Sequence, residues 1–255
     1  MMGNLSVAIA GEFQRGKSTL ANALLGRNAA EKGRGKATTH ENRSFALTPQ
    51  VTLVDTPGFD ANGKDSETAL EALKTADVFL YVHESKELGD ACAGLFQLAR
   101  ETGKIVLFLL NCRDFAKWAP EENGDVAATI EAELRNTGIA RNVLASGKRL
   151  VTPINALWAC YGLGLLNPAS KEDVRDMRKT RRYAEDDLSI PGAAALPEEV
   201  LRAEMLRRSG VREVREWLTD LPVRRLQDVL ENPGQSLERI LDQFAESLKR
   251  RWFAA

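Results

Sequence analysis

Apolar residues in this chain fall into short continuous runs separated by polar stretches that carry glycine and proline. The runs Leu5–Ala10, Arg43–Leu47, Val51–Val54, Val78–Val82, Ile105–Leu110 and Val151–Ile154 read as strands, several of them apolar throughout, as strands buried on both faces are. Between them lie segments of helix-forming composition. One is Thr19-Leu20-Ala21-Asn22-Ala23-Leu24-Leu25, closed by Gly26. Strands alternating with helices predict an α/β fold with a mostly parallel sheet covered on both faces. The second and third runs are joined only by Thr48-Pro49-Gln50, too short for a parallel crossover, so they form an antiparallel hairpin. The expectation is a mixed, mostly parallel six-stranded sheet with one antiparallel edge strand.

Beyond residue 161 the pattern changes. Residues 162–208 are charged and helical, with Arg175, Arg178, Lys179, Arg181 and Arg182 close together and a loop around Ile190-Pro191-Gly192. A basic helix of this kind can touch phosphate or lipid headgroups, but interleaved Asp and Glu favour a solvated face. A helix follows at 209–221. Residues 222–255 then read as a C-terminal helical extension broken at Asn232-Pro233-Gly234. In its last helix Leu237, Ile240, Leu241, Phe244 and Leu248 recur at helical spacing, followed by Lys249-Arg250-Arg251-Trp252-Phe253. Two readings stand for it: a helix packed on this domain or on a helical partner, and an amphipathic end that meets a membrane surface.

The chemistry lies where the first strand meets the first helix. Gly11-Glu12-Phe13-Gln14-Arg15-Gly16-Lys17-Ser18 matches the phosphate-binding P-loop pattern in the strand–loop–helix setting it requires. Gly11 and Gly16 let consecutive N–H groups turn inward toward an anion, and the helix N-terminus adds its own donors. Lys17 reaches the β- and γ-phosphates, and the Ser18 hydroxyl takes a place on Mg²⁺. Phe13, Gln14, Arg15 and Thr19 complete the nucleotide-binding set of this loop. Downstream, Val51–Val54 ends in Asp55-Thr56-Pro57-Gly58. Asp55 can hold the magnesium shell through water, and the Gly58 N–H can sense a γ-phosphate, which makes Phe59–Asp65 a switch loop.

Ile105–Leu110 runs into Asn111-Cys112-Arg113-Asp114, an Asn-Lys-x-Asp guanine reader lacking its lysine. Asp114 can accept from both guanine N1–H and the exocyclic amine, which selects GTP over ATP. Asn111 ties this loop to the P-loop, Arg113 flanks the base, and Cys112 stands where a lysine stem normally covers one face. Asn155-Ala156, after the last strand, resembles the Ser-Ala loop that touches guanine O6 through a backbone N–H.

These elements in order resemble the translation-factor-related GTPases, the Era-like and dynamin-like branch. The stretch from Gly11 to Gly26 is similar to the opening of bacterial dynamin-like proteins, and the resemblance covers residues 4–160 and again 209–220. It implies a P-loop GTPase three-layer sandwich. Residues 1–161 form the GTPase core, 162–208 a charged helical insertion, and 209–221 the final helix of that domain. It further implies GTP or GDP as ligand with Mg²⁺ held by Ser18, Asp55 and a switch threonine, Thr39 with Thr38 as second choice.

Ras-like enzymes place a water-orienting glutamine where this chain has Phe59. The resemblance therefore shifts catalysis onto Gln14, Arg15, Lys17 and Thr39, with slow turnover unless the chain dimerises through its nucleotide face or meets a partner there. A nucleotide-binding regulatory module with little hydrolysis is the alternative.

Composition narrows the partners. A net charge of −1 over 255 residues gives no bulk electrostatic case for nucleic acid or an anionic membrane. Cys92, Cys112 and Cys160 have neither metal nor disulfide spacing, which suits a reducing compartment. No signal peptide or bilayer-length apolar run is present, so a cytoplasmic protein, peripheral at most to a membrane, is expected. His83 follows the Val78–Val82 strand, where a surface histidine is expected, and His40 suggests no metal site.

Overall fold

In the computed structural model the described residues are 4–31, 41–58, 64–84, 104–112, 126–136, 151–186, 190 and 192–231. Strands β1 (Leu5–Ala10), β2 (Arg43–Thr48), β3 (Val51–Asp55), β4 (Val78–His83), β5 (Ile105–Asn111) and β6 (Val151–Ile154) form one sheet in the order β2-β3-β1-β4-β5-β6. Every pairing is parallel except β2 with β3, which is antiparallel. The hairpin and each expected strand are therefore present, with β2, β3, β4 and β5 each extended by one residue.

The order fixes where a ligand can sit. From β1 the chain crosses to β3 on one side, then passes through α2 (Lys64–Thr75) to β4 on the other. Connections that leave β1 in opposite directions open a crevice at the carboxyl ends of β1, β3 and β4, the binding position of open α/β sheets.

Period-two alternation divides the buried strand residues between two faces. Val7, Ile9, Leu53, Leu80, Leu107 and Leu109 belong to a cluster with α1 (Lys17–Leu25), α4 (Ala156–Gly162) and α7 (Val211–Glu231). Ala8, Phe79, Tyr81 and Phe108 alternate to the other face, where α2 lies against β1 and α3 (Val126–Asn136) against β6. Helices on both faces of one sheet make the three-layer sandwich.

The region 162–208 comprises α5 (Lys171–Asp186), a 3₁₀ turn at Ala193–Ala195 and α6 (Glu198–Arg208). It packs on the core: Ile190, Ala193, Leu201 and Met205 join the same cluster as Val7. Backbone approach is close where α4 meets α6, since a Cβ on Gly162 would lie 2.7 Å from Arg202 O. A polar knot fastens the junction. The Tyr161 hydroxyl (2.6 Å) and Arg202 Nε (3.0 Å) donate to Glu198 Oε1, and the Arg181 guanidinium donates to Oε2 at 3.1 Å.

One helix crosses an expected boundary. A break was expected at Pro222, yet α7 continues through it to Glu231. Val211, Val214, Trp217, Leu218 and Leu221 form its buried stripe, and Arg215 Nε donates to Leu24 O at 2.9 Å. Packing against α1 sets the helix axis before the proline removes its single ladder bond. The last helix, with Leu237 to Trp252, lies outside the described residues. No helix among the described residues is long and apolar enough to cross a membrane.

Candidate functional site

The loop between β1 and α1 has the backbone its glycines permit. Gly11 has φ 146° and Gly16 φ 91°, and Gln14 also lies in the left-handed region at φ 60°. A Cβ on Gly11 would collide with the Val82 carbonyl of β4, and one on Gly16 would lie 2.5 Å from Asn111 Nδ2. The loop is thus pressed against its neighbours, and both sites require glycine. Gly26 closes α1 in the αL conformation, as expected from the sequence.

Lys17 is buried inside the loop, its ammonium donating to the carbonyls of Gly11 (3.1 Å) and Glu12 (2.8 Å). Burial pushes its pKa down to about 8, with Asp55 pulling the other way. The Ser18 hydroxyl donates to Asp55 Oδ2 at 2.9 Å. Asp55 Oδ1 is buried with no hydrogen-bond partner, and burial raises this carboxyl above the usual range against the opposing pull of Ser18 and Lys17. A hydroxyl and a carboxylate with a spare inward oxygen, beside the N-terminus of α1, form an oxygen donor set that fits Mg²⁺.

The switch glycine sits directly over the loop. A Cβ on Gly58 would lie 2.7 Å from Phe13 Cα and 3.0 Å from Lys17 Nζ. The buried Thr56 hydroxyl fastens this turn by donating to Ile9 O at 2.8 Å. Asn111 joins the loops as the sequence implied. Its Nδ2 donates to Arg15 O at 2.9 Å, and its Oδ1 accepts the Ala156 N–H at 3.1 Å.

Several expected residues are placed differently. Arg15 forms a two-pronged pair with Glu12 Oε2, at 3.0 Å from Nε and 2.7 Å from the terminal nitrogen, while Gln14 is exposed. The Asn155 side chain caps α4 by accepting from Trp158 N at 2.9 Å, so it is engaged in helix capping, and the Ala156 N–H is taken by Asn111. Cys112 turns inward toward Leu110 O and is buried, its thiol pushed up to about 12 by burial. His83 corrects the expectation of a surface residue: it is 1% exposed and stacks near Tyr81 and Phe108. Tyr81 and Phe108 on the same sheet face pack against its ring and bury it.

Phe13 and Thr19 keep their places in and behind the loop. Thr38, Thr39, Phe59, the rest of the expected second switch before Lys64, Arg113, Asp114 and Cys92 lie outside the described residues. Asn22 is a residue the sequence reading passed over. Buried in α1, it donates to Ala30 O at 2.8 Å and accepts from Ala29 and Ala30 N, fixing the chain that leads toward the first switch. Only its polarity within an otherwise apolar helix signalled it.

With this geometry in view, residues 6–112 match the profile of the "50S ribosome-binding GTPase" family. The core thus resembles an Era-like P-loop GTPase. GTPase Era of Neisseria meningitidis serogroup C is 30% identical over 217 residues, covering 80% of this chain and 64% of that protein. GTPase Der of Lachnoclostridium phytofermentans is 35% identical over 127 residues, 45% of this chain and 29% of that one. The chain thus spans about two thirds of the Era protein and less of Der.

Among solved structures, Aquifex aeolicus Era bound to GDP·AlF4⁻ resembles it at 23% identity and TM-score 0.49, covering 61% of this chain and 52% of that one. Era in complex with MgGDPNP and a segment of 16S ribosomal RNA resembles it at 22% identity, TM-score 0.46, with the same coverage of each. The matched relatives include GTPases Era and Der and lend the dynamin-like branch no support. The matched profile is that of a GTPase family, and the donor set at Ser18 and Asp55 suits Mg²⁺.

Proposed function

We propose that this chain is a Mg²⁺-dependent GTP-hydrolysing switch. The observation that carries the reading is the Ser18–Asp55 pair, with a buried spare carboxylate oxygen, next to a buried lysine satisfied only by neutral carbonyls. A desolvated ammonium held this way is a preformed site for a polyphosphate. Such an anion offers Lys17 charge-assisted bonds that the Gly11 and Glu12 carbonyls cannot match. Bound magnesium would neutralise charge developing on the β- and γ-oxygens. The loop's backbone N–H groups hold the same oxygens, and Gly58, seated on Phe13, couples a γ-phosphate to the second switch.

Thr39 closing over the nucleotide and Asp114 selecting guanine belong to the same proposal, with Gln14 and Arg15 as sources of catalysis. Residues 1–161 and 209–221 supply the GTPase domain, 162–208 an elaboration packed on it, and 222–255 an extension. The relatives' names bring a ribosomal partner to this chain as a proposal, which replaces the expectation of no nucleic acid drawn from net charge.

The test is fluorescent-nucleotide binding and phosphate release with GTP and ATP, with and without Mg²⁺, for wild type, Lys17→Ala and Ser18→Ala across protein concentration. Mg²⁺-dependent, GTP-selective turnover abolished by Lys17→Ala is expected; preference for ATP would sink the guanine reading. Turnover that rises with concentration would favour the dynamin-like assembly mode over a monomeric Era-type switch. A second reading, a regulatory module that binds nucleotide and hydrolyses little, is favoured by one observation: Arg15 is held by Glu12. GTP-selective binding without turnover at any concentration would establish it.

A further inference from the structure

The charged helix α5 looks mixed when read as sequence, and its geometry sorts it. Advancing 100° per residue, Lys171, Arg175, Arg178, Lys179 and Arg182 all fall within an arc of about 100°. Each of the five is exposed. Three acidic side chains are engaged: Asp173 accepts the Asn167 N–H at 2.8 Å, Asp176 is buried, and Glu185 pairs with Arg181 at 3.0 Å. Glu172 and Glu185 flank the stripe, and Asp186 falls within its arc at the C-terminal end, one turn from Arg182. Lys171, Arg175, Arg178 and Lys179 make no ion pair with any described residue. From Lys171 to Lys179, what reads as a self-neutralised helix is therefore a row of four cations about 12 Å long, at 1.5 Å rise per residue.

The opposite side of α5 is already in use. Met177 packs on the core, Thr180 is fully buried, and the Arg181–Glu198–Tyr161 knot locks the helix to α4 and α6. The stripe is thus rigid, so little side-chain and backbone order remains to be lost on docking. It also has no apolar rim, since the exposed large apolar residues among those described are Phe13, Leu163 and Val200, none on α5. A helix that lies in a lipid surface needs an apolar face to insert; here that face is spent on the core. A linear row of guanidinium and ammonium groups suits a partner with regularly spaced phosphates, for which arginine provides bidentate geometry.

We propose that the outer face of α5 is a docking site for the phosphate backbone of RNA. At about 3.4 Å rise per nucleotide along a strand, the stripe spans about three to four nucleotides. Recognition is by charge and spacing, without base readout. The site is separate from the nucleotide pocket, so it stands whether or not the chain hydrolyses GTP.

The experiment is fluorescence anisotropy of the full chain with a short labelled single-stranded RNA, at several salt concentrations, for wild type and the double variant Arg175→Gln/Arg178→Gln. Four phosphates neutralised on a single strand give a log–log salt slope of about −2.8, and loss of two gives about −1.4. Raising salt from about 50 to 200 mM should then weaken wild-type binding about fifty-fold and the variant about seven-fold. Fluorescent GTP binding and the melting temperature should be unchanged in the variant. If that variant fails to fold, Lys171→Gln/Lys179→Gln decides on the same readout. No RNA binding by wild type, or equal slopes for wild type and variant, overturns the proposal. So does binding to phosphatidylserine vesicles without binding to RNA.

Discussion

Asn111 Nδ2 donates to the Arg15 carbonyl at 2.9 Å while its Oδ1 accepts from Ala156 N at 3.1 Å, so one amide spans three loops. Asn111 is 2% exposed; its bond to Ala156 N is buried and its bond to Arg15 O part-buried. Asn111→Ala leaves the buried Ala156 N–H unsatisfied, at about 1–3 kcal/mol before relaxation, and the part-buried Arg15 carbonyl without this partner. The expected outcome is a lower melting temperature together with faster GDP release, measured by displacement of a fluorescent analogue. Asn111→Asp should retain the Ala156 bond and lose the Arg15 one, giving an intermediate effect.

Gly58 and Gly11 fail for different reasons when a methyl group is added. At Gly58 the new Cβ meets Phe13 Cα at 2.7 Å, so the switch turn must lift off the loop. Gly58→Ala should keep GDP affinity and lose discrimination between GTP and GDP, read from the ratio of their dissociation constants. At Gly11 the obstacle is the Val82 carbonyl together with φ 146°, and both strand end and loop must move. Gly11→Ala should cost about 2–4 kcal/mol of stability and most of the binding of either nucleotide.

Lys17 makes the nucleotide-free protein pH-sensitive. Burial holds its folded pKa at about 8, below the ordinary lysine value of 10.5, so in the window between them the unfolded chain carries the proton and the folded one does not. Stability of the nucleotide-free protein should therefore rise as pH increases from about 8 to 10.5, and the desolvation penalty is fully present below 8. Lys17→Met removes that penalty, worth up to about 3 kcal/mol at neutral pH, while giving up two carbonyl bonds. The variant should melt above wild type at pH 7, with the gap closing toward pH 10, in a thermal-shift series. Asp55 has a raised folded pKa. Acid should therefore favour the nucleotide-free fold relative to Asp55→Asn while weakening Mg²⁺ binding, which needs the carboxylate.

The sheet was legible because its strands are continuous apolar runs punctuated by turn residues. The P-loop was legible because two glycines, a lysine and a serine at fixed spacing admit few other readings. Residues whose state depends on neighbours distant in sequence were not legible. His83 reads as a strand-edge polar residue, and only the packing of Tyr81 and Phe108 around it explains its burial. Asn155 was read only for its loop position, and its side chain's role as the cap of α4 depends on Trp158 N. The cations of α5 appear neutralised in linear order, whereas the helical repeat separates them from Asp173 and Asp176.

Glu198 gathers three donors at the junction of α4, α5 and α6. The Tyr161 hydroxyl bond comes first among the causes that hold its carboxyl below the usual range, with burial opposing, and Tyr161 in turn is pushed up to about 12. The side chain is 39% exposed, so the pair energies are screened and Glu198→Ala should cost about 1 kcal/mol. A lowered folded pKa means this contribution is present above the ordinary glutamate range and lost as pH falls through the folded value. The difference in melting temperature between wild type and variant should therefore shrink on acidification. A constant difference would show that packing, not charge, holds the junction.

Arg15 decides between an active hydrolase and a passive module. Its guanidinium is held by Glu12 across the exposed Phe13 and Gln14, which lie between the two in the loop. Both partners are partly exposed, so the pair is worth about 1 kcal/mol at most, less than the roughly 1.5–3 kcal/mol of a charge-assisted bond to a phosphate. Arg15 should therefore leave Glu12 when a γ-phosphate develops charge beside it. On this argument Arg15→Ala lowers kcat about ten- to hundred-fold with little change in GTP affinity, because the bond strengthens in the transition state. Glu12→Ala, by freeing the guanidinium, should raise kcat by up to about five-fold. Single-turnover phosphate release separates these effects from product release. If Arg15→Ala and Glu12→Ala both leave the rate unchanged while Gln14→Ala abolishes it, catalysis lies with the glutamine. If none of the three moves a rate that is already near the uncatalysed one, the protein signals by binding alone.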